Sequence, residues 1–131
     1  MSYVLDTDTL IYFLKGQEKV VRHVGHTAVD RLSITIVNHT ELLFGAFNSS
    51  HPKKNLEKIQ SFLNQFKTLP FCEESSYIFG KQKSELKKQG KIIADLDLMI
   101  ASIVLKNHCI LITNNTKHFV RVPGLKMDNW A

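Results

Sequence analysis

The sequence predicts an α/β domain with a largely parallel sheet covered by helices. Short apolar runs that suit buried strands alternate with longer stretches of helical periodicity along the chain. This alternation is typical of βα units, whose crossover connections bring strands into parallel pairs. Polar residues with oxygen-bearing side chains follow three of the predicted strands, at the position where open α/β sheets carry their ligand sites.

The first predicted strand covers residues 3–5 and ends at Asp6. A helix is predicted to follow, because apolar residues return at Leu10, Ile11, Phe13 and Leu14. Asp6 or Asp8 can cap this helix, and a cap or a supporting contact is the expected role of Asp8. One carboxylate is enough for capping, so the pair indicates a functional site at the end of this strand.

A short helix is predicted within residues 17–31, and an alternating pattern predicts a strand over residues 32–36. The apolar stripe that follows predicts a helix capped by Asn38 or Thr40. Glu41 falls in the first turn of that helix, so an acidic side chain again comes directly after a strand.

The middle of the chain is predicted to pack around the sheet. Residues 48–54 read as a loop, and apolar spacing over residues 56–66 predicts an amphipathic helix. Residues 68–72 are predicted to form an edge strand, since Pro70 cannot donate to a sheet ladder. A second long helix is predicted over residues 73–89, ending at Gly90.

Asp95 and Asp97 open the next helix, which is otherwise apolar. Anions are favoured at a helix N-terminus, but two beside so much apolar surface exceed what capping requires. Residues 109–112 form an apolar strand that runs into a polar segment containing Asn115. A last edge strand is predicted over residues 125–130.

Composition indicates one globular domain covering residues 1–131, with 44% hydrophobic and 22% charged residues. No run is long enough for a membrane-spanning helix, and the acidic residues near the N-terminus interrupt any secretory signal. A cytoplasmic location is therefore expected. The net charge of +5 favours a polyanionic partner, although the lysines concentrated in residues 81–91 also suit a solvated helix face.

Because the strand ends of a parallel sheet meet at one edge, Asp6, Glu41, Asp97 and Asn115 are predicted to converge, with Asp95 close by. Clustered carboxylates need a cation, and Mg²⁺ prefers oxygen ligands. An acidic set without thiolate or histidine partners favours Mg²⁺ or Mn²⁺ over Zn²⁺. Such a cluster can activate water for displacement at phosphorus. The chain has no P-loop, no G-x-S-x-G and no G-x-G-x-x-G sequence.

Several blocks of the sequence resemble the signature blocks of PIN-domain proteins: LDTD at 5–8, TELLFG at 40–45, DLMIA at 97–101 and LITNNTKHF at 111–119. The segments VPGL at 122–125 and NW at 129–130 are similar to the endings of VapC-type toxins. The resemblance implies a three-layer α/β/α domain with a five-stranded, mainly parallel sheet. It also implies a Mg²⁺- or Mn²⁺-dependent endoribonuclease that is the toxin of a type II toxin–antitoxin pair.

By position, Asp6, Glu41 and Asp97 match the three acids that bind metal in that family. Asp95 is expected as a further acid near the metal, either as a ligand or through water. Asn115 departs from the family pattern, because many PIN domains have a fourth acid there. An asparagine oxygen can still hold water or substrate, but the loss of charge is expected to weaken a second metal position.

The predicted partners are RNA, a cognate antitoxin and a second copy of the chain in a homodimer. An arginine or lysine of the antitoxin is expected to enter the acidic groove. Two other functions stay open on the sequence alone. One is a catalytically weak, RNA-binding or regulatory PIN module, and the other is a DNA-directed flap-type nuclease.

Overall fold

Five parallel strands form the sheet in a computed structural model that describes residues Met1–Ala131. The strands are β1 (Tyr3–Leu5), β2 (Leu32–Thr35), β3 (Lys67–Leu69), β4 (Ile110–Ile112) and β5 (Met127–Asp128). Their order is β3-β2-β1-β4-β5, so β1 is central and the chain adds strands on each side of it. The predicted α/β fold with a five-stranded parallel sheet is confirmed.

Seven α-helices surround the sheet: α1 (Thr7–Leu14), α2 (Glu18–Gly25), α3 (Ile36–Phe47), α4 (Pro52–Leu63), α5 (Glu73–Lys88), α6 (Asp95–Lys106) and α7 (Thr116–Phe119). A single 3-10 turn precedes β2. None of the helices combines the length and the apolar character needed to cross a membrane. Both α1 and α3 begin within one residue of a strand end, so their first turns lie at the same edge of the sheet.

The two faces of the sheet carry separate cores, because successive side chains of a strand point to opposite faces. Val4 and Leu111 belong to one buried cluster, which is built mainly with α5, α6 and α7. Leu5 and Ile112 belong to the other, which includes side chains from α1, α2, α3 and α4. All four of these strand residues have no exposed surface, as expected for a parallel sheet covered on both sides.

The start of α3 differs from the sequence prediction. The cap is Thr35, the last residue of β2, and neither Asn38 nor Thr40 takes that position. The Thr35 hydroxyl accepts from the Asn38 N–H at 3.1 Å, while the Asn38 Oδ1 accepts from the Thr35 N–H at 2.9 Å. This reciprocal capping box lets the helix begin directly at the strand end. Glu41 consequently lies in the second turn of α3.

Other elements also differ from the prediction, and the last strand is shorter than expected, covering only Met127–Asp128. β3 ends at Leu69, one residue before Pro70, because proline has no N–H to continue the ladder. α4 begins at Pro52 inside the predicted loop, and a proline is favoured in the first turn of a helix. The short α7 was not predicted, since four residues are too few to establish a helical period.

The buried face of α6 gives a direct test of the packing. Val104 has no exposed surface, and Val104→Ala is expected to lower the free energy of unfolding by about 2 kcal/mol through lost burial and the cavity left behind. The matched control is Val29→Ala, because Val29 is 75% exposed, and its change should stay within about 0.5 kcal/mol. Urea unfolding of both variants measures the difference. Equal effects would contradict this assignment of the core.

Candidate active site

Asp6 is the buried centre of the site, with only 6% of its surface exposed. It follows β1 directly and is the N-cap of α1, where its Oδ1 accepts from the N–H of Thr7 at 2.9 Å. A carboxylate suits this place because it satisfies a free N–H of the first helical turn and interacts favourably with the helix dipole.

Two polar side chains that follow the neighbouring strands β2 and β4 hold the Asp6 carboxylate. Thr113, the residue after β4, donates its hydroxyl to Asp6 Oδ2 at 2.8 Å. Asn38, in the first turn of α3, donates its Nδ2 to Asp6 Oδ1 at 3.2 Å. The Asn38 Oδ1 is occupied by the N–H and hydroxyl of Thr35, which fixes the direction of the amide. Both donors are buried, so the orientation of Asp6 is set by the protein.

Glu41 reaches the same cleft from α3 and is joined to α1 by Thr7. The Thr7 hydroxyl donates to Glu41 Oε1 at 2.7 Å and accepts from Asn38 Nδ2 at 3.0 Å. The first turn of α1 is therefore linked to α3 through side chains separated by more than thirty residues in sequence. Both Thr7 and Thr113 make hydrogen bonds to acidic side chains of the site.

Asp8 ties α1 to the segment after β4. Its Oδ2 accepts from the N–H of Asn114 at 3.0 Å, and its Oδ1 accepts from the N–H of Thr9 at 2.7 Å. The side chain of Asn114 continues the connection, because its Nδ2 donates to the hydroxyl of Tyr12 at 3.3 Å. These contacts give Asp8 a structural part at the rim of the site.

An open cleft of about 430 Å³ lies between these elements. Four carboxylates reach its wall, and two asparagines that follow β4 complete the polar lining: Asp6, Asp8, Glu41, Asp97, Asn114 and Asn115. The convergence expected from the strand ends is therefore present for Asp6, Glu41, Asp97 and Asn115. Asn115 also donates its N–H to the hydroxyl of Thr113 at 3.0 Å, so it belongs to the network that holds Asp6.

Burial and crowding of acids disfavour ionisation in this cleft. Burial raises the pKa of Asp6 to about 7, and the negative charge of Asp8 adds to the rise against the hydrogen bonds from Thr113 and Thr7. Burial also raises the pKa of Asp97, where the positive charge of His118 opposes the shift and Asp8 again adds to it. No lysine or arginine forms an ion pair with any of these acids, since the two ion pairs of the chain lie elsewhere.

The side chains as placed do not form a metal-binding geometry, because no group of three or more histidine, cysteine or acidic side chains is arranged to hold an ion. The chemistry of the donor set nevertheless fits a hard cation, since it consists of carboxylate and amide oxygens. The Thr7 hydroxyl occupies Oε1 of Glu41, which leaves Oε2 as the oxygen that can serve as a ligand.

Asp95 is the predicted site residue that the structure does not bring to the cleft. Its Oδ1 pairs with Lys83 Nζ of α5 at 2.9 Å, and its side chain lines a separate pocket between α5 and α6. Asp95 and Asp97 are two residues apart on a helix, so their side chains point about 200° apart around its axis. Only Asp97 faces the cleft.

Sequence reasoning missed the role of Asn38 as the link between Asp6, Thr7 and Thr35. The available signal was its position three residues after a threonine at a strand end, which is the spacing of a capping box. It also missed His118, which comes from α7 and lies near enough to influence Asp97. A four-residue helix left no periodic signal that could have placed that histidine.

The PIN domain model matches residues 3–125. Ribonuclease VapC2 of Haemophilus influenzae is 32% identical over 131 residues, covering 100% of this chain and 99% of that protein. A tRNA(fMet)-specific endonuclease VapC of Salmonella typhimurium is 27% identical over 131 residues, with the same coverage. A chain in the crystal structure of VapBC2 from Rickettsia felis, bound to a DNA fragment from their promoter, has a TM-score of 0.91 and 28% identity, with 100% of both chains covered.

The family match and the similar solved structure therefore agree with the observed fold. The match extends over most of the sequence, and the relatives align over their whole length. This chain belongs to the PIN-domain family and, within it, to the VapC ribonucleases.

Proposed function

We propose that this protein is a metal-dependent endoribonuclease, the toxin of a toxin–antitoxin pair, and that Asp6, Glu41 and Asp97 form its catalytic centre. One observation carries the proposal. Carboxylates from three distant segments line a single open cleft, and none of them is paired with a cation of the protein. The ribonuclease and endonuclease relatives support RNA as the substrate, and a cytoplasmic location would give access to it.

The donor set favours Mg²⁺, with Mn²⁺ as a substitute, because both take carboxylate and neutral oxygen ligands. Asp6, Glu41 and Asp97 are the residues that would hold the ion. Asp95 is left out of this set because it is paired with Lys83 on another side of α6. When bound, such an ion supplies an activated water and stabilises the negative charge that develops at the phosphorus.

The remaining residues of the site act on the acids and on the substrate. Asn38 and Thr113 keep the two oxygens of Asp6 in fixed directions, which preserves its orientation when the cleft is empty of cations. Asn115 presents a neutral oxygen and an amide N–H₂ at the cleft wall, and either can contact a phosphate ester or its water. The cleft is open, so an RNA chain can enter it from the surface.

A groove beside the cleft supports the docking of an antitoxin. It has a volume of about 270 Å³ and shares Thr7, Ile11 and Glu41 with the cleft. Its other apolar walls come from α1, α3 and α4: Leu14, Leu42, Ala46 and Ile59. An apolar helix in this groove could extend an arginine or lysine to the unpaired acids next to it. The VapBC relatives support a protein partner of this kind.

A homodimer stays a prediction. Phe44 and Phe47 are more than 60% exposed on α3, and Tyr77 is 74% exposed on α5. Exposed aromatic side chains are enriched at protein interfaces, so they are the residues to test for self-association. Light scattering of Phe44→Ser and Phe47→Ser variants would measure it.

The nuclease proposal predicts that Asp97→Asn and Glu41→Gln each lower RNA cleavage by about 100-fold or more, because each removes a charged oxygen from the metal-binding set. The measurement is cleavage of a labelled RNA by purified protein with Mg²⁺, with Mn²⁺ and with chelator. Cleavage is expected only when a divalent ion is added.

Matched controls come from acids outside the cleft. Asp30→Asn and Glu57→Gln change exposed side chains in the same way and should retain wild-type cleavage. Cleavage that persists in Asp97→Asn and Glu41→Gln would show that the active site is not in this cleft or that a contaminating nuclease cleaves the RNA. Wild-type protein that binds RNA without cleaving it would favour the RNA-binding module, and cleavage of DNA flaps alone would favour the flap-type nuclease.

Burial of the Asp6 carboxylate, together with the nearby charge of Asp8, predicts that Asp6→Asn stabilises the metal-free protein at pH 8. Because the pKa of Asp6 rises from 3.8 to about 7 on folding, the folded state holds an extra proton between these values, and stability falls as the pH rises through that interval. The full shift corresponds to roughly 4 kcal/mol. Altered hydrogen bonds reduce the gain, so an increase on the order of 1–3 kcal/mol is expected.

Urea unfolding in chelator at pH 5 and pH 8 tests this expectation. The gain should be larger at pH 8, where the wild-type carboxylate is charged, and smaller at pH 5. Added Mg²⁺ should stabilise the wild type at pH 8 and have little effect on Asp6→Asn. A loss of stability of the same size at both pH values would contradict the charge argument, leaving hydrogen bonding as the main role of Asp6.

A further inference from the structure

A second pocket lies next to the catalytic cleft, between α5 and the start of α6. Its volume is about 270 Å³, close to the lower end of the roughly 300 Å³ typical of small-ligand sites. Asp95 lines this pocket, whereas Asp97 lines the cleft. The first turn of α6 therefore separates the two cavities, and a helix with its side chains is only about 10–12 Å wide.

The pocket combines an apolar wall with two cations. Ile92, which is 73% exposed, supplies the accessible apolar wall, and three residues of the buried core lie behind it: Leu86, Ile93 and Leu98. Lys83 and Lys87 stand one helical turn apart on α5 and line the same pocket. Apolar walls with a few placed polar groups are typical of sites that bind a flat organic group carrying a charge.

The two lysines differ in their partners. Lys83 is held by Asp95, with the Nζ at 2.9 Å from Oδ1, and it also lies 5.7 Å from the centre of the Phe79 ring. Lys87 has no ion pair with any acid of the chain. The Lys87 ammonium is therefore the group at this pocket that is available for an anion.

The surrounding segment concentrates the positive charge of the molecule. Residues 81–91 contain five lysines and one glutamate, a net charge of +4 in a chain whose net charge is +5. A local positive charge of this size attracts a polyanion more strongly than it attracts a single acidic side chain. This positive segment lies on the far side of α6 from the cleft. Its charge therefore offsets the repulsion between the acids of the cleft and the phosphate backbone of an RNA.

We propose that this pocket binds one nucleotide of the RNA substrate beside the scissile phosphate. Lys87 contacts the phosphate of that nucleotide, and the base packs against the exposed side chain of Ile92 at the apolar wall. Unstacked bases are held between apolar or aromatic side chains in this way. Asp95 acts as a positioning residue that keeps Lys83 at the edge of the pocket. This inference rests on the proposed ribonuclease function.

RNA binding by an inactivated enzyme tests the pocket directly. Asp97→Asn protein with Mg²⁺ is titrated into a fluorescent single-stranded RNA substrate, and anisotropy gives Kd at several salt concentrations. Adding Lys87→Ala is expected to raise Kd about three- to tenfold and to reduce the slope of log K against log salt by about 0.7. The matched control is Lys88→Ala, an exposed lysine on the same helix outside the pocket, which should change Kd less than twofold.

A series of RNAs, each lacking one base near the cleavage site, tests the contact with the base. Loss of affinity at one position adjacent to the scissile phosphate supports the pocket, and equal affinity at all positions overturns the base contact. If Lys87→Ala and Lys88→Ala bind alike while the wild type cleaves RNA, the pocket proposal alone fails. If the wild type neither cleaves nor binds RNA, the proposed function fails with it.

A protein partner is the other source of an anion for Lys87. An acidic segment of an antitoxin would be recognised by the same charge. If Lys87→Ala weakens binding of an antitoxin co-purified with the protein but leaves the RNA Kd unchanged, the nucleotide proposal is overturned in favour of a protein contact.

Discussion

Burial of the Asp6 carboxylate at the end of the central strand is the constraint on which the rest of the site depends. Because β1 lies between β2 and β4, Asp6 is reached from both sides: by Asn38 after β2 and by Thr113 after β4. A buried acid without such donors would cost several kcal/mol. The hydrogen bonds that make the burial tolerable also fix the direction of the carboxylate, so the sheet order and the geometry of the site have a common origin.

The arrangement that suits a cation is unfavourable for the protein alone. The pKa of Asp6 and that of Asp97 are both raised, first by burial, and Asp8 adds to the rise in each case. Burying an acid without a compensating cation is costly, and the acid of the chain that does pair with a lysine, Asp95, is exposed. The unpaired acids are therefore best explained by the function proposed for the cleft.

Much of the fold and of the site could be predicted because both depend on local patterns. Apolar runs marked the strands, and polar residues at strand ends marked Asp6 and Asn115 before any contact was known. Asp95 could not be placed in that way. Two residues at the start of a helix point in different directions, and which one faces the cleft is decided by how α5 packs on α6. The contact of Asn38 with Asp6 was missed for a related reason. The capping box that Asn38 forms with Thr35 is local in sequence, but its contact with Asp6 depends on which strands are neighbours.

The asparagine at position 115 is consistent with the charge balance of the cleft. A further acid there would stand beside Asp97 and Asp8, in a cleft where burial already disfavours ionisation. Asn115 keeps an oxygen at the wall without adding charge, and its N–H supports Thr113, which in turn holds Asp6. In the proposed function, a neutral residue at this position lowers the attraction for a second divalent ion. Under the proposed function, we therefore expect a second metal position to be weaker than the first.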